Sequence, residues 1–383
     1  MAPTRVSSLR FKIAASLVVL ATFLGTGEGV ARVIGPQTPG LKGDGGWTLL
    51  GPHPTRMWAA PPGAVATSGF TATINELGFR GNRPADPKPE GELRIMLLGD
   101  SSIFGHGVDD DQTLDAVLEK VLPTFGIKAE VINLGIPGYS TEQSLIQLEE
   151  LGWALKPDLL VVGDLWSDND IGLFRDADLL RTREVFSNRV LGHSALFKLT
   201  AATIDRLRGG KGARIVTWMD PSDWPDQGTR RVPLHDYVAN LGKVARGATH
   251  HGVGTTFLAL CNSTQINQHD PYAPWSDYFA AQEQVAAFYG VPIFHTCDEF
   301  RASGVTDTHQ LFTDGMHPSA LGVRILSQGI AADLVAAGWP WNTRLLARDE
   351  PFPADSVTDT WTDFTIEDRK KMSTPQAHMF HDE

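Results

Sequence analysis

Five short apolar runs, separated by helix-length segments, limit what this chain can fold into more than any other feature. Residues 93–98 lead into Gly99, and Val131 and Ile132 follow Ala129 and Glu130. Residues 159–162 end at Gly163, residues 256–260 form a fourth run and residues 291–294 a fifth, the last weakened by Pro292. Runs this short are the pattern of strands buried on both faces, as in a parallel sheet. The clearest helical stretch between them holds Leu145, Leu148, Leu151 and Leu155 at spacings of three and four, and must stop before Pro157. Further helices are expected over 276–289 and 320–337. Strands that alternate with helices imply right-handed crossovers and a three-layer α/β/α sandwich around a five-stranded parallel sheet. In such a sheet, function gathers at the carboxyl ends of the strands.

The N-terminus speaks about location. Arg5, Arg10 and Lys12 precede a charge-free stretch from Ile13 to Leu24, the basic-then-apolar order of an export signal. The weakly apolar pattern runs on through Val30, Ala31, Val33 and Ile34, with Glu28 and Arg32 spaced to pair on a continuing helix. A retained signal-anchor helix over 1–34 is the expectation; a cleaved signal and a plain amphipathic helix are the alternatives. Positive charge ahead of the run places the body outside the cytoplasm, periplasmic or on the cell surface. Residues 35–68, rich in Gly and Pro, read as a linker. The main domain is expected over 69–345, followed by a polar tail over 346–383 that could be disordered or pack along the domain. Roughly ninety residues separate the third run from the fourth, more than one crossover helix needs. That insertion includes Trp218, Pro221, Trp224 and Pro225 and is expected to flank the site.

Charge and cysteine content exclude some classes of function. A formal net charge of −12, with no sustained basic tract, argues against nucleic acid as a partner. Cys261 and Cys297 are too few for a disulfide framework and lack zinc-site spacing. They follow the fourth and fifth strands, so one bridge is open to them, but two buried free thiols are the expectation.

Four loops carry the chemistry. Gly99-Asp100-Ser101-Ser102 follows the first strand, where Asp100 or Ser101 could merely cap a helix. A serine on a sharp strand-to-helix turn also exposes its hydroxyl as a nucleophile needs. The loop from Asn133 to Thr141, with Gly138, follows the second strand. Trp166, Ser167, Asp168, Asn169 and Asp170 follow the third, and Asp314-Gly315-Met316-His317 precedes the last helix. Singly, each reads as an ordinary turn. Together, they are brought to one end of the sheet by the fold.

In order and spacing these blocks resemble the SGNH (GDSL-type) serine hydrolases, over roughly residues 70–340. Residues 74–81 and the basic-apolar N-terminus further resemble a membrane-anchored bacterial subgroup. One position departs from the pattern: Ser167 stands where a glycine usually lies two residues before the Asn. The resemblance implies a flavodoxin-like esterase fold and an acyl-enzyme formed on Ser101. It also implies a base in His317, oriented by Asp314, and an oxyanion hole from the N–H groups of Ser101 and Gly138 and the Asn169 amide. No cofactor and no metal follow from it. Ser102 is a competing nucleophile and His106 a candidate pocket residue, while Asp168 and Asp170, without a nearby histidine, make a poor metal site. The expected activity is deacylation of a small acyl ester on an envelope glycan, a lipid or a small molecule. An O-acyltransferase with the same triad and a noncatalytic glycan-binding protein are the alternatives.

Overall fold

The structure is a computed structural model that describes residues 5–34, 49–66, 69–172, 175–184, 194–197, 199–200, 229–267 and 275–359. Trp218, Pro221, Trp224 and Pro225 of the insertion, and the tail from 360 onward, lie outside them. The chain divides into two compact units, one of Met1–Pro39 with Arg181–Ile215 and one of Gly40–Leu180 with Val216–Glu383.

In the first unit, α1 (Arg5–Ile34) is one continuous helix. Its segment Phe11–Val33, 23 residues long, is apolar enough to cross a membrane, and its most apolar stretch is not buried. At the usual rise it extends about 35 Å, enough for a hydrocarbon core of about 30 Å. Glu28 pairs with Arg32 at 2.9 Å, as the spacing anticipates. The same carboxylate accepts hydrogen bonds from Ser194 Oγ and from the backbone N–H groups of Ala195 and Leu196. It thus caps the short helical turn that begins at Ala195.

The second unit is built on β1 (Leu93–Gly99), β2 (Ala129–Asn133), β3 (Leu159–Gly163), β4 (Gly254–Ala259) and β5 (Ile293–His295), all parallel, in the order 2-1-3-4-5. Burial explains the apolar runs: from Arg94 on every residue of β1 is buried, as is all of β3 and all of β4. Arg94 is tolerated because Glu130 meets its guanidinium at 2.6 Å. Around the sheet lie α2 (Ser101–Phe104), α3 (Leu114–Val121), α4 (Thr141–Gln147), α5 (Trp166–Asn169), α6 (Leu234–His250), α7 (Ser276–Tyr289), α8 (Thr296–Ala302) and α9 (Ala320–Ala336). The leucine face expected before Pro157 is not one regular helix. α4 passes into a π turn at Leu148–Gly152 and a 3-10 turn at Trp153–Leu155, and Lys156 in a left-handed conformation ends it.

Strand order reverses between β1 and β3, whose ends lie side by side with Gly99 opposite Gly163. In a sheet of this order that switch point opens the crevice where ligands bind. Gly99 is required for it: a Cβ there would lie 2.4 Å from Ile103 Cγ1 and 3.1 Å from the Gly163 carbonyl oxygen.

Two expectations need correction. Residues 49–66, read as linker, contain a strand pair, Gly51–His53 with Met57–Ala59, and bury Leu49, Leu50, Trp58 and Ala60. They form a small second core with Phe70, Ile136 and Tyr139. Gly and Pro hid this because the strands are three residues long, too short for a periodicity. Cys261 and Cys297 are bonded to each other, not free thiols: the β4 and β5 ends bring their Cα atoms to 5.1 Å. Of the expected tail, the part up to 359 packs, with Leu345 and Ala347 buried and Phe352 edge-on to Phe288 at 5.3 Å.

Candidate active site

Ser101 begins α2 directly after β1. Asp100 caps that helix, accepting from Ser102 N–H, and its second oxygen accepts from Ser167 N–H at 3.3 Å, tying the end of β1 to the loop after β3. Asp100 is wholly buried, and burial pushes its carboxyl above the ordinary aspartate value against these bonds. The helix-cap reading of the sequence is therefore true of Asp100 and leaves Ser101 free for another partner. That partner is His317, whose Nε2 lies 2.7 Å from Ser101 Oγ across 216 residues of sequence. The neighbouring Ser102 hydroxyl is buried with no hydrogen-bond partner among the described residues.

The imidazole is oriented by its own turn. Asp314 Oδ2 lies 2.6 Å from His317 Nδ1, while Oδ1 accepts from the N–H groups of Met316 and His317. The carboxylate thus grips both backbone and ring of the residue it serves. Burial favours neutral His317, but the Asp314 charge and hydrogen bond outweigh it, with the Asp100 charge adding, and raise its pKa above 6.5. Burial would also raise Asp314, yet His317 and the two N–H donors hold its carboxyl well below the usual range.

Gly138 and Asn169 sit on the loops after β2 and β3. Gly138 adopts φ +77°, a conformation that suits glycine. The Asn169 amide donates to the Leu165 carbonyl at 3.0 Å, which leaves one of its two hydrogens for another acceptor. Asp168 is buried and accepts from Thr141 N–H and Oγ1, locking the loop after β3 to the start of α4. Asp170 faces Arg231 at 3.8 Å. Asp168 is therefore held by hydrogen bonds from Thr141 and Asp170 by the charge of Arg231.

His106 packs its ring 4.7 Å from that of His317 and edge-on to Phe70 at 5.2 Å, so it does line the region. Burial, and then the neighbouring His317 charge, push its pKa down to about 4, so it is neutral near pH 7. His106, Asp314 and His317 present ligand atoms within 4.8 Å of one another. A cation held there would have to take nitrogens that His317 already uses toward Ser101 and Asp314.

Sequence reading missed two arginines. Arg231, buried, bonds Asp176 at 2.8 Å and donates to the Gly138 carbonyl at 2.8 Å. Arg230 donates to the Asn169 carbonyl at 2.8 Å. They lie within the insertion, 93 and 61 residues from the loops they hold, and nothing local marks them.

The sequence matches the GDSL-like Lipase/Acylhydrolase family over residues 97–325, and the chain belongs to that family. It is an esterase-type hydrolase. Among solved structures, it is similar to a lipase/acylhydrolase from Enterococcus faecalis, at 15% identity over 68% of this chain and 100% of that one, with a TM-score of 0.41. It is also similar to Axe2, an acetylxylan esterase from Geobacillus stearothermophilus, at 17% identity over 66% and 96%, with a TM-score of 0.41. No curated protein sequence matches the chain.

Proposed function

We propose that the protein hydrolyses carboxylic esters through an acyl-enzyme on Ser101. The observation that carries this reading is the 2.7 Å approach of Ser101 Oγ to His317 Nε2, with Asp314 on the far side of the ring. A serine hydroxyl is a poor nucleophile near neutral pH and needs a base within bonding reach. His317 takes the proton as Ser101 attacks the ester carbonyl and returns it to the leaving alcohol. Asp314 fixes the tautomer that presents the Nε2 lone pair and stabilises the imidazolium. The oxyanion is met by the N–H groups of Ser101 and Gly138 and by the free hydrogen of the Asn169 amide. Water activated by His317 then releases the acid.

The domain works outside the cytoplasm, held to the membrane by α1, on a small acyl ester of an envelope glycan, a lipid or a small molecule. The basic residues ahead of the apolar helix support the orientation. The domain organisation that goes with this reading is an anchor over 1–34 and a hydrolase domain that, beyond the expected 69–345, takes in residues 49–66 and the packed part of the tail.

The test is hydrolysis of p-nitrophenyl acetate with and without a serine-directed phosphonate. Phosphonate-sensitive turnover that disappears in Ser101→Ala and persists in Ser102→Ala is the expected result. Labelling of Ser101 with slow turnover would point instead to acyl transfer, and neither turnover nor labelling would sink the enzymatic reading.

A further inference from the structure

The segment ahead of the matched family region reaches the loop that carries Gly138 through a buried tryptophan. Trp58 is buried on the strand Met57–Ala59, and its indole N–H donates to the Pro137 carbonyl at 3.0 Å, 79 residues away. Pro137 and Gly138 share a peptide, and it is not among the cis bonds of the described residues. In a trans peptide the C=O and N–H point in opposite directions, so a donor that fixes the carbonyl also fixes the direction of Gly138 N–H. That N–H has no backbone or side-chain acceptor among the described residues, as a group waiting for a ligand oxygen would not. A hydrogen bond into the carbonyl also polarises the peptide and makes its N–H a stronger donor.

The neighbouring contacts make the grip rigid. The Tyr139 hydroxyl donates to the Trp58 carbonyl at 2.7 Å, and Gln143 Nε2 donates to the Arg56 carbonyl at 2.9 Å. The Trp58 and Tyr139 rings meet edge to face at 6.0 Å. Arg231 lies over the Trp58 ring at 5.8 Å and holds the peptide on the other side of Gly138 through its carbonyl. Met57 supports the same conclusion from the backbone. It adopts φ +65° at the end of the turn from His53, a strained state for a side-chain-bearing residue that persists only where the surroundings enforce it.

We infer that Trp58 is a positioning residue for the reaction: it aims and polarises the Gly138 N–H at the oxyanion, making residues 49–60 part of the catalytic machinery. This rests on the oxyanion role proposed above for Gly138. Because the oxyanion exists only after attack, losing the donor should slow turnover and leave ground-state binding nearly unchanged.

The experiment compares Trp58→Phe, which keeps an aromatic ring and removes the N–H, with Ile74→Ala, which opens the same small core without touching the Pro137 carbonyl or the hydrogen bonds of Trp58. Trp58→Phe should lower kcat for p-nitrophenyl acetate about tenfold, less than the roughly 10²- to 10³-fold typical of losing a direct donor. KM should stay within about twofold, since uniform binding is untouched. The Ki of a trifluoromethyl ketone, whose hemiketal carries the oxyanion, should rise by the same factor as kcat falls. Ile74→Ala should lower the melting temperature and leave kcat and Ki near wild type. If Trp58→Phe fails to fold, β-(3-benzothienyl)alanine at position 58 replaces the N–H by sulfur in the same ring shape and is read in the same way. Equal kcat losses in the two variants, or wild-type kcat without the indole N–H, would overturn the inference. Ser101→Ala measured alongside separates the two claims: if it stays active the hydrolase reading fails, and if it is dead while Trp58→Phe matches wild type only this inference fails.

Discussion

The two sides of the site are held in opposite ways. Ser101 stands on a buried framework: Asp100, Asp164 and Asp168 are at most 1% exposed, and hydrogen bonds tie the loops after β1, β2 and β3 to one another. His317, the proposed base, stands on a turn that organises itself. Asp314, with a side chain 39% exposed, bonds the backbone and ring of residues two and three places on. Apart from the link to Ser101, Ser263 N–H to the Gly315 carbonyl at 2.8 Å is the main tie from that turn to the β4 side. The proposed nucleophile is thus fixed by tertiary structure and the proposed base by local structure. Damage to the first should cost stability, and damage to the second should cost rate.

The largest effect tests the base side. His317→Ala should lower kcat by about 10⁴- to 10⁶-fold, the range seen when a triad histidine is removed. Its stability should fall by about 1 kcal/mol, the order of the ring's lost hydrogen bonds to Asp314 and Ser101. Paired kinetics and calorimetry check this, and a stability loss as large as that of a core variant would erase the contrast.

Arg231→Met attacks the other side. It leaves Asp176, 2% exposed, without its guanidinium and frees the Gly138 carbonyl. Breaking one member of a buried ion pair costs about 3–5 kcal/mol, readable by urea denaturation. A loss below about 1 kcal/mol would mean that water or a neighbour takes over the pair, and that the framework is less binding than its geometry implies.

The disulfide lies between the two sides, since Cys261 precedes the Ser263 that holds Gly315. It closes a loop of 36 residues, for which chain entropy gives about 3–4 kcal/mol. Cys261→Ala with Cys297→Ala, or reductant on the wild type, should lower stability by about that amount with kcat little changed. A collapse of kcat at retained stability would show that the bridge, rather than the Asp314 turn, positions the base.

The same contrast explains what was legible in the sequence. The five strands and the three loops beyond them could be read because each is written in one contiguous stretch, with its apolar run followed by its polar turn. Asp314 and His317 could be read because their interaction is three residues long. Arg230, Arg231 and Trp58 could not, because their meaning lies in carbonyl groups 61 to 93 residues away, and a backbone carbonyl leaves no mark in a sequence. The strands at Gly51–His53 and Met57–Ala59 were hidden for a related reason: they are stabilised by the Tyr139 hydroxyl and a second small core, not by their own pattern. The disulfide needed the register of β4 against β5, which pairs Ala259 with His295.

The smallest effect is the finest probe of the base side, because it separates rate from stability along one axis. His317 must be neutral to accept a proton, and Asp314 raises its pKa above 6.5, so kcat/KM should rise with pH along a single limb centred above that value. In Asp314→Asn the raising charge is gone, burial remains, and the limb should move to lower pH. His106 adds no second limb in this range, since it titrates only near 4. Its signature is in stability instead. A histidine whose folded pKa lies below its unfolded value is neutral in the fold while the unfolded chain takes up a proton, so stability should fall as pH drops from 6.5 toward 4. His106→Phe should flatten that decline and leave the activity limb in place. If instead the two curves move together in either variant, then the two histidines titrate as one unit, and the local independence of the base turn is lost.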